Sequence, residues 1–546
     1  MKKSIFLLIA SAALFLAAAC TQDIDSFPEE EMSVGKDIVY ITASIDQSTK
    51  ATIDGTTGAL SFTQTSDKII VFNGTAAYVG TATADGNPAS FAMESGFTES
   101  NGIAAFPSGM VTSINATDVT FTLPSSYDLA DVSGDNTPCP LVATYTAGNA
   151  IVFKQLCGLL RLTVSAIPAG TDYLKLDFDG KKVNGAFALA GVNPGTTSIC
   201  TADVNDASDV ITVTGITNET SVTINIPMPA SSNENKYRDI TVSAWAVNGE
   251  DPVVPLMAQV IPFGENYNVQ TGHGKKIAAS LNLGIFSAAA GKFVVFAPGN
   301  LQYIGNSGSV DPYWRFAANQ YDYIGQDQAG SDEGVNRDLF GWGTSGYDYT
   351  ADASYPDGSW INFMPYSLSI DSETDNYGYG PSIYNGNGSN LTGNYAKGDW
   401  GYNLISSGAG TFASATWRTP TGGENGEWDY IFGARTSLLP LGKWAKVGNV
   451  HGYLLMPDNS LETLEGSYSV DQWNTLQAEG AVFLPAAGGR SDDELYNVNS
   501  WGGYWSSTAE SKDSAYMMAF SSEGLNPYNY EQRFIGLSVR LIREID

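Results

Sequence analysis

The sequence is poor in the residues that bind transition metals and perform covalent catalysis. Its 546 residues include 2 histidines and 4 cysteines. These residues are His273, His451, Cys20, Cys139, Cys157 and Cys200. They form no Cys-x-x-Cys pair and no Cys/His cluster, so zinc, haem and iron–sulfur sites are not expected. Most serine and cysteine catalytic triads need a histidine base, and no nucleophile motif lies near His451.

Basic residues are also scarce. The 27 Lys and Arg residues and the 58 Asp and Glu residues give a formal net charge of −31. This charge repels phosphates, so a nucleic-acid partner is not expected. Carboxylates such as Asp492, Asp493 and Glu494 are numerous enough to supply a glycosidase pair, but no pair of them stands out. We interpret them as solvated acidic loops and expect no enzymatic activity.

Long apolar runs are absent after the N-terminal segment. There, Lys2 and Lys3 precede a nearly continuous apolar run from Ile5 to Ala19, which is typical of a secretory signal peptide and short for a membrane span. The run ends in Leu16-Ala17-Ala18-Ala19-Cys20. This string resembles a lipobox, in which small residues precede a cysteine that receives a lipid, although Ala17 stands where leucine is more usual. An ordinary secretory signal with Ala-x-Ala cleavage is the alternative.

The residues that follow Cys20 are polar and acidic, as is typical of an unstructured tether. We therefore expect a signal peptide at 1–19, lipidation of Cys20 and a tether at 20–36. The protein would then be anchored in the outer membrane by its lipid and exposed on the cell surface.

With Cys20 lipidated, three cysteines remain. Cys139 and Cys157 are the nearest possible disulfide pair, and Cys200 would be left over. We prefer an interpretation without a structural disulfide, in which all three thiols are small core residues.

From Ile38 to about Leu283, short segments alternate apolar and polar residues, and long helical periodicity is absent. The predicted strands are 38–45, 68–72, 119–123, 159–164, 174–178 and 222–226. Turn signals between strands are Asp54-Gly55, Asn73-Gly74, Asp179-Gly180 and Asn248-Gly249. The pattern predicts a mainly β fold, with two successive β-sandwich domains at 37–166 and 167–283.

Several motifs in this region resemble the fimbrillin-like lipoprotein family of Gram-negative anaerobes. They are Asp54-Gly55-Thr56, Ser66-Asp67-Lys68-Ile69-Ile70-Val71-Phe72, Ala105-Phe106-Pro107, Phe121-Thr122-Leu123-Pro124, Phe153-Lys154-Gln155-Leu156-Cys157-Gly158-Leu159-Leu160-Arg161-Leu162-Thr163-Val164 and Ile226-Pro227-Met228-Pro229-Ala230. Members of this family are lipid-anchored precursors of surface pili, each with two transthyretin-like β-sandwich domains, and they join other fimbrial subunits by strand addition. The resemblance implies that removal of an N-terminal strand opens a groove, with Lys50 and Ala51 as the candidate protease maturation site.

The composition changes after Leu283. Ten of the 11 tryptophans lie beyond this residue, among many tyrosines and glycines. Apolar residues at three- and four-residue spacing predict a short helix at 424–436 and a second at 470–479. We expect a separate module at 284–546, in which Trp342, Trp417, Trp428 and Trp505 pack in the core.

Motifs of this second region resemble a bacterial surface module with a mixed α+β, C-type-lectin-like fold, related to the formylglycine-generating-enzyme group. They are Trp314-Arg315-Phe316, Asp338-Leu339-Phe340-Gly341-Trp342-Gly343-Thr344-Ser345-Gly346, Asp399-Trp400-Gly401, Trp417-Arg418-Thr419-Pro420-Thr421, Gly452-Tyr453-Leu454-Leu455-Met456-Pro457-Asp458, Ala481-Val482-Phe483-Leu484-Pro485-Ala486-Ala487-Gly488, Gly503-Tyr504-Trp505-Ser506-Ser507-Thr508 and Gly536-Leu537-Ser538-Val539-Arg540-Leu541. The oxidase members of this group use a cysteine pair, and no cysteine follows Cys200. Their chemistry is therefore not expected here.

Calcium-dependent lectins of this fold carry Glu-Pro-Asn or Gln-Pro-Asp and Trp-Asn-Asp strings. None of these strings occurs in the sequence, so calcium-dependent sugar binding is not expected. We expect no cofactor, although a structural calcium in the acidic loop at 326–338 is an alternative.

Aromatic residues among Asp, Asn and Gly mark a candidate ligand-binding segment between Tyr347 and Trp400. The candidates are Tyr355, Trp360, Tyr366, Tyr377, Tyr379 and Tyr384. Their rings could stack on sugars in a loop, where specificity usually lies, or they could pack in the core of the module.

These observations predict a fimbrial subunit whose lectin-like module is displayed outward as a tip adhesin that binds a surface glycan or protein. The segment from Leu537 to Ile542 resembles the final core strand of its own module, so it would be a poor donor for a neighbouring subunit. The alternative is a stand-alone surface lipoprotein that binds glycan or protein and does not polymerise.

Overall fold

Strands dominate the structure, which confirms the predicted mainly β class. The computed structural model describes residues 38–46, 61–133, 139–189, 201–202, 208–231, 236–247, 254–264, 266–305, 311–328, 336–347, 390–435, 437, 439–491, 494–511 and 513–545. Within these ranges, no helix combines the length and the apolar character needed to span a membrane.

The first part of the chain forms a closed barrel. Its region contains β1 (Tyr40–Ile45), β2 (Lys68–Phe72), β3 (Ala77–Ala82), β4 (Ala89–Met93), β5 (Gly102–Phe106), β6 (Val111–Ile114), β7 (Val119–Leu123), β8 (Ser126–Asp128), β9 (Leu141–Tyr145) and β10 (Ile151–Gln155). The barrel order is β1-β10-β9-β5-β2-β3-β4. Open sheets of a sandwich were expected here, but β1 pairs with both β4 and β10 and closes the sheet on itself.

A second core follows the barrel. Its region contains β11 (Cys157–Ser165), β12 (Tyr173–Asp177), β13 (Gly185–Leu189), β14 (Thr201–Ala202), β15 (Val210–Thr214), β16 (Ser221–Pro229), β17 (Ile240–Ala246), β18 (Val254–Ile261) and β19 (Gly274–Ser280). Strands β16, β11 and β19 form one sheet that covers a larger sheet containing β12, β15, β17 and β18. The inward-facing Leu160, Leu162 and Val164 of β11 pack in this second core. The predicted border at residue 166 therefore follows a strand that belongs to the second core.

The remaining strands form several small sheets. They are β20 (Leu283–Ala289), β21 (Lys292–Phe296), β22 (Leu301–Ile304), β23 (Tyr313–Phe316), β24 (Ile405–Ser407), β25 (Gly410–Phe412), β26 (Gly442–Val447), β27 (Val450–Leu455), β28 (Ser467–Tyr468), β29 (Val482–Pro485), β30 (Gly489–Ser491), β31 (Glu494–Tyr496), β32 (Trp501–Ala509), β33 (Ser514–Ser521), β34 (Gly524–Gln532) and β35 (Ile542–Ile545). The C-type-lectin-like fold of this region stays a prediction.

The helices are short. The α-helices span Leu129–Val132, Glu427–Asp429 and Val470–Ala478, the 3-10 helices span Ser108–Met110, Gly325–Gln328, Gly393–Gly398 and Trp400–Tyr402, and a π-helix spans Tyr430–Ala434. Both predicted helices of the C-terminal region are thereby confirmed. The helix Val470–Ala478 begins with a capping box, in which Ser469 Oγ accepts from the Gln472 N–H and Gln472 Oε1 accepts from the Ser469 N–H.

One eight-stranded sheet runs through the predicted border at residue 283. Its order is β35-β21-β20-β18-β17-β12-β15-β8. Strand β18 of the second core pairs with the start of β20, where Met257 lies opposite Gly284 and Ala258 lies opposite Leu283. Gly284 is required there because a Cβ atom would lie 2.2 Å from the Gly480 carbonyl oxygen. The second core and the C-terminal region therefore share backbone hydrogen bonds.

Side-chain packing also crosses this border. Trp245, Ala258 and Val260 belong to the same buried cluster as residues of the C-terminal region. The Trp245 ring lies edge-on to Phe293, with centroids 6.3 Å apart. Trp342, Trp417, Trp428 and Trp505 are all buried, as predicted. Thus the two regions have a common apolar core in addition to a common sheet.

Candidate functional site

The site residues predicted from the sequence lie outside the described ranges. This applies to Cys20, to Lys50 and Ala51, and to the six aromatic candidates Tyr355, Trp360, Tyr366, Tyr377, Tyr379 and Tyr384. The lipid anchor, the maturation site and the aromatic ligand segment stay predictions. Cys139 and Cys157 are described and buried, and no disulfide joins them, in agreement with the preferred interpretation.

The strand that precedes Lys50 is the one that closes the barrel. In β1, Ile41, Ala43 and Ile45 point into the core, while Tyr40 is 59% exposed. The strand pairs in parallel with β10 through Ala43 to Ile45, and antiparallel with β4. Cleavage of the chain after residue 50 would break the covalent link between β1 and the rest of the barrel. Its removal would leave the hydrogen-bonding edges of β4 and β10 facing each other across an apolar groove.

The other end of the chain is held by polar contacts as well as by sheet pairing. Strand β35 pairs with β21, and Ile542 and Ile545 are buried. Between them, Arg543 is 7% exposed, and its Nη2 lies 3.3 Å from Asp179 Oδ1 and 3.5 Å from Asp177 Oδ2 of the second core. The last strand is therefore built into the junction between the two regions.

A buried carboxylate completes this junction. Asp239 of the second core is fully buried, and its Oδ2 accepts hydrogen bonds from the Ala413 N–H at 2.8 Å and from the Thr416 hydroxyl at 2.7 Å. Its Oδ1 accepts from the N–H groups of Phe263 and Gly264 at 2.8 and 3.2 Å. Burial raises the pKa of Asp239, and these four hydrogen bonds oppose the rise. The carboxylate thus connects the two regions at a position from which water is excluded.

The loop considered for calcium contains a second buried carboxylate. Asp338 accepts hydrogen bonds from the Ile324 N–H at 2.6 Å and from Gln328 Nε2 at 2.8 Å. Burial raises its pKa to about 6, against these hydrogen bonds and the charge of Arg490. In the part of the chain that the structure describes, no group of three or more His, Cys, Asp or Glu side chains is placed to hold a metal ion. Residues 329–335 lie outside that part, and a structural calcium stays a prediction.

A cavity of about 840 Å³ opens beside the junction. Gln259 and Val260 of β18 form one wall, and the small sheet of β22, β23, β24 and β25 forms another. The base is apolar and includes Leu283, Phe316 and Phe412. This volume lies within the range of about 300–1,000 Å³ that is typical of small-molecule sites.

The polar wall of this junction cavity comes from alternation along β23. Trp314 and Phe316 point into the core, so Tyr313 and Arg315 point outward to the cavity. Arg315 Nε donates a hydrogen bond to Gln302 Oε1 of the paired strand β22 at 3.0 Å, and Ser406 of β24 lies beside Arg315 in register. The motif Trp314-Arg315-Phe316 carried a family resemblance in the sequence, but its outward face was not among the predicted site residues. The signal was the alternation of apolar and polar residues.

A second cavity of about 620 Å³ has a different character. Its guanidinium, Arg418, is already paired with the Glu427 carboxylate through two hydrogen bonds of 2.7 and 2.5 Å. The Asp399 carboxylate in its wall accepts from the N–H and the hydroxyl of Thr419. Because the charged groups of this cavity already form hydrogen bonds within the protein, we interpret the cavity as part of the structural framework.

Comparisons with known proteins give limited similarity. A family model described as "Domain of unknown function (DUF8237)" matches residues 462–542. No curated protein matches the chain.

Three solved structures illustrate the structural similarity. A candidate cell adhesion protein from Bacteroides ovatus is 12% identical with a TM-score of 0.28, and the match covers 45% of this chain and 92% of that one. A candidate cell adhesion protein from Bacteroides uniformis is 12% identical with a TM-score of 0.26, covering 44% and 94%. A tip fimbrial protein from Porphyromonas gingivalis with a C-terminal truncation is 11% identical with a TM-score of 0.19, covering 41% and 83%. Because these scores are low, we base the function on the chain's own geometry.

Proposed function

We propose that the protein is a lipid-anchored fimbrial subunit of the cell surface that caps a pilus as a tip adhesin. The observation that carries this proposal is the difference between the two terminal strands. Strand β1 closes a barrel and precedes the candidate cut site, whereas β35 is fixed in the junction by Arg543. A subunit of this kind can accept a strand from a neighbour, whereas β35 stays in its own fold.

The acceptor side of the proposal rests on the geometry of β1. A donor strand that replaces β1 must bury three side chains at alternate positions, where Ile41, Ala43 and Ile45 now lie. It would also satisfy the backbone groups of β4 and β10, which supply affinity in strand addition. Cleavage between Lys50 and Ala51 would make this replacement possible without breaking any other strand of the barrel.

Strand β35 is unsuited to act as a donor strand for a physical reason. Withdrawal of β35 would expose Ile542 and Ile545 and would separate Arg543 from Asp177 and Asp179. Arg543 is buried while the side chains of Asp177 and Asp179 are 29% and 23% exposed, so the loss of these contacts costs less than the about 3–5 kcal/mol typical of a fully buried ion pair. The last strand therefore stays in its own fold, and the C-terminal region remains outward at the fibre end. We assign this region a binding role and no enzymatic activity.

Electron microscopy of intact cells tests the proposal. Immunogold with antibody against residues 284–546 is expected to mark fibre ends in the wild type. Lys50→Gln should abolish fibre labelling because β1 would stay attached. Lys36→Gln is the matched control: Lys36 precedes β1, so a cut there would leave β1 in the mature chain, and labelling should persist.

Two outcomes would contradict the proposal. Regular labelling along the shafts would mean that the protein also donates a strand. Label on the cell surface with no labelled fibre, in wild type and both variants, would favour the stand-alone binding lipoprotein instead. The lipid anchor is tested separately, because Cys20→Ser should abolish incorporation of a fatty-acid analogue.

A further inference from the structure

We propose that the junction cavity between β18 and the sheet of β22 to β25 binds an uncharged sugar ring. This inference deepens the proposed function and rests on the surface role given there, because it names the ligand class that the outward region would recognise. The site is formed by described residues, separate from the aromatic segment that the sequence suggested.

The mixed lining of the cavity, with apolar, aromatic and polar side chains, suits a sugar ring better than an apolar ligand. The C–H faces of a pyranose are apolar, and the exposed Tyr313 and the half-buried Tyr323 line the cavity. The hydroxyl groups at the ring edge need donors and acceptors at several positions. Gln302, Arg315 and Ser406 supply both kinds from three adjacent strands. Such rigid strands hold these groups at fixed spacing, as specific recognition requires.

Two residues of the wall carry buried polar atoms whose hydrogen-bonding capacity is unused. Gln259 Oε1 and Trp417 Nε1 are inaccessible to solvent and have no hydrogen-bond partner in the described part of the chain. Both residues line the cavity. An unsatisfied buried donor or acceptor costs about 1–3 kcal/mol, and native proteins rarely leave one without a reason. Because neither atom has accessible surface, a ligand hydroxyl would bond them only after the side chains of the wall shift.

The charged groups of the cavity wall indicate whether a neutral or an acidic sugar would bind. Among the described residues that line the cavity are one guanidinium, from Arg315, and two carboxylates, from Asp322 and Asp327. Asp322 Oδ2 accepts from the backbone N–H and the amide of Asn319 at 3.0 Å, so this carboxylate has a fixed position. The formal charge of the wall is negative, and the whole chain is strongly acidic. An acidic sugar such as a sialic or uronic acid would be repelled, so a neutral hexose or N-acetylhexosamine is the expected ligand.

A glycan array with the purified full-length chain tests this assignment. The probes are neutral oligosaccharides and their sialylated counterparts. We expect binding to neutral glycans. Tyr313→Ala and Arg315→Ala should each weaken it about tenfold or more, as expected for the loss of a stacking face or a charged hydrogen bond. Tyr530→Ala is the matched control, because Tyr530 is 57% exposed on β34 and does not line the cavity.

Loss of binding must be separated from loss of folding. Tyr313 is exposed, so the melting temperature of Tyr313→Ala should stay close to the wild-type value. Arg315→Ala also removes the hydrogen bond to the buried Gln302, so it should melt at a somewhat lower temperature but still cooperatively. The proposal is overturned if no neutral glycan binds, if sialylated glycans bind more tightly, or if both cavity variants bind as well as the wild type. Failure of pilus labelling leaves these binding results unaffected, so the two proposals can fail independently.

Discussion

The first and last described strands, β1 and β35, are held in different ways. Strand β1 contributes alternate apolar side chains to a barrel and is held by backbone pairing with β4 and β10. Strand β35 adds a buried arginine that reaches two carboxylates of another region. Backbone pairing alone can be replaced by any strand of suitable pattern, whereas a buried ion pair requires its own partners. The comparison shows how one chain can contain an exchangeable end and a fixed end.

The largest expected effect comes from removing each terminal strand. A chain that starts at Ala51 should lose barrel stability but retain a cooperative transition for the rest of the molecule. A chain that ends at Leu541 should lose that transition, because it lacks Ile542, Arg543 and Ile545 at the shared junction. Calorimetry measures both. A synthetic peptide of residues 38–46 should restore the barrel of the first chain, whereas failure of rescue would contradict the exchangeable role of β1.

The next largest effect concerns the carboxylate at the junction. Asp239→Ala leaves four donors, including the Thr416 hydroxyl, without their acceptor in a buried place. Because each unsatisfied buried donor costs about 1–3 kcal/mol, we expect the free energy of unfolding to fall by about 3 kcal/mol or more. Urea denaturation measures this loss. Asp131→Ala is the control, because Asp131 is exposed, and it should change stability by less than about 0.5 kcal/mol. An equal loss of stability in both variants would contradict the proposed role of Asp239 in connecting the two regions.

The pH dependence of stability provides a smaller effect. Burial raises the pKa of Asp338 to about 6 from an ordinary value of 3.8. The folded state therefore binds this proton more tightly than the unfolded state, and the resulting stabilisation is present at low pH and disappears as the pH rises through 6. Each pKa unit corresponds to about 1.4 kcal/mol, so the loss between pH 4 and 7 is on the order of 2–3 kcal/mol. In Asp338→Asn, the free energy of unfolding should change less between pH 4 and 7 than in the wild type. An unchanged pH dependence would contradict the raised pKa of Asp338.

The smallest expected effect is a gain. Gln259→Met removes the unsatisfied Oε1 from the cavity wall together with one hydrogen bond from Nε2 to the Val260 carbonyl oxygen. We expect the ligand-free protein to be unchanged or more stable by up to about 1 kcal/mol, while neutral-glycan binding weakens. Thermal unfolding and glycan titration check the two parts. A variant with lower stability and unchanged binding would show that Gln259 serves the fold rather than the site.

Local patterns predicted the elements well. The alternation at 68–72 and 119–123 matches β2 and β7 residue for residue, and the three- and four-residue spacing near Trp428 and Trp473 marks the two short helices. These predictions succeeded because a strand or helix with one buried face records its period in the order of its residues. The turn signal at Asp179-Gly180 is likewise present, with positive φ at both residues.

The candidate site could be predicted less well. Aromatic content drew attention to the segment between Tyr347 and Trp400, whereas the junction cavity combines residues from β18, β22, β23 and β24 that are far apart in sequence. No local pattern relates Gln259 to Arg315 or to Trp417. Only the pairing of distant strands brings such residues to one wall.

The sequence by itself determined the mainly β composition, the acidic surface charge, the scarcity of metal-binding residues and the positions of most strands, because these depend on residue type and local period. The tertiary structure decided where the chain divides. A change of composition at Leu283 suggested separate modules, yet β18 and β20 pair across it and Asp239 and Arg543 form polar contacts there. Strand pairing and buried polar contacts join residues of different elements, 174 residues apart for Asp239 and Ala413 and 364 for Arg543 and Asp179. Such contacts leave no period in the sequence for a reader to detect.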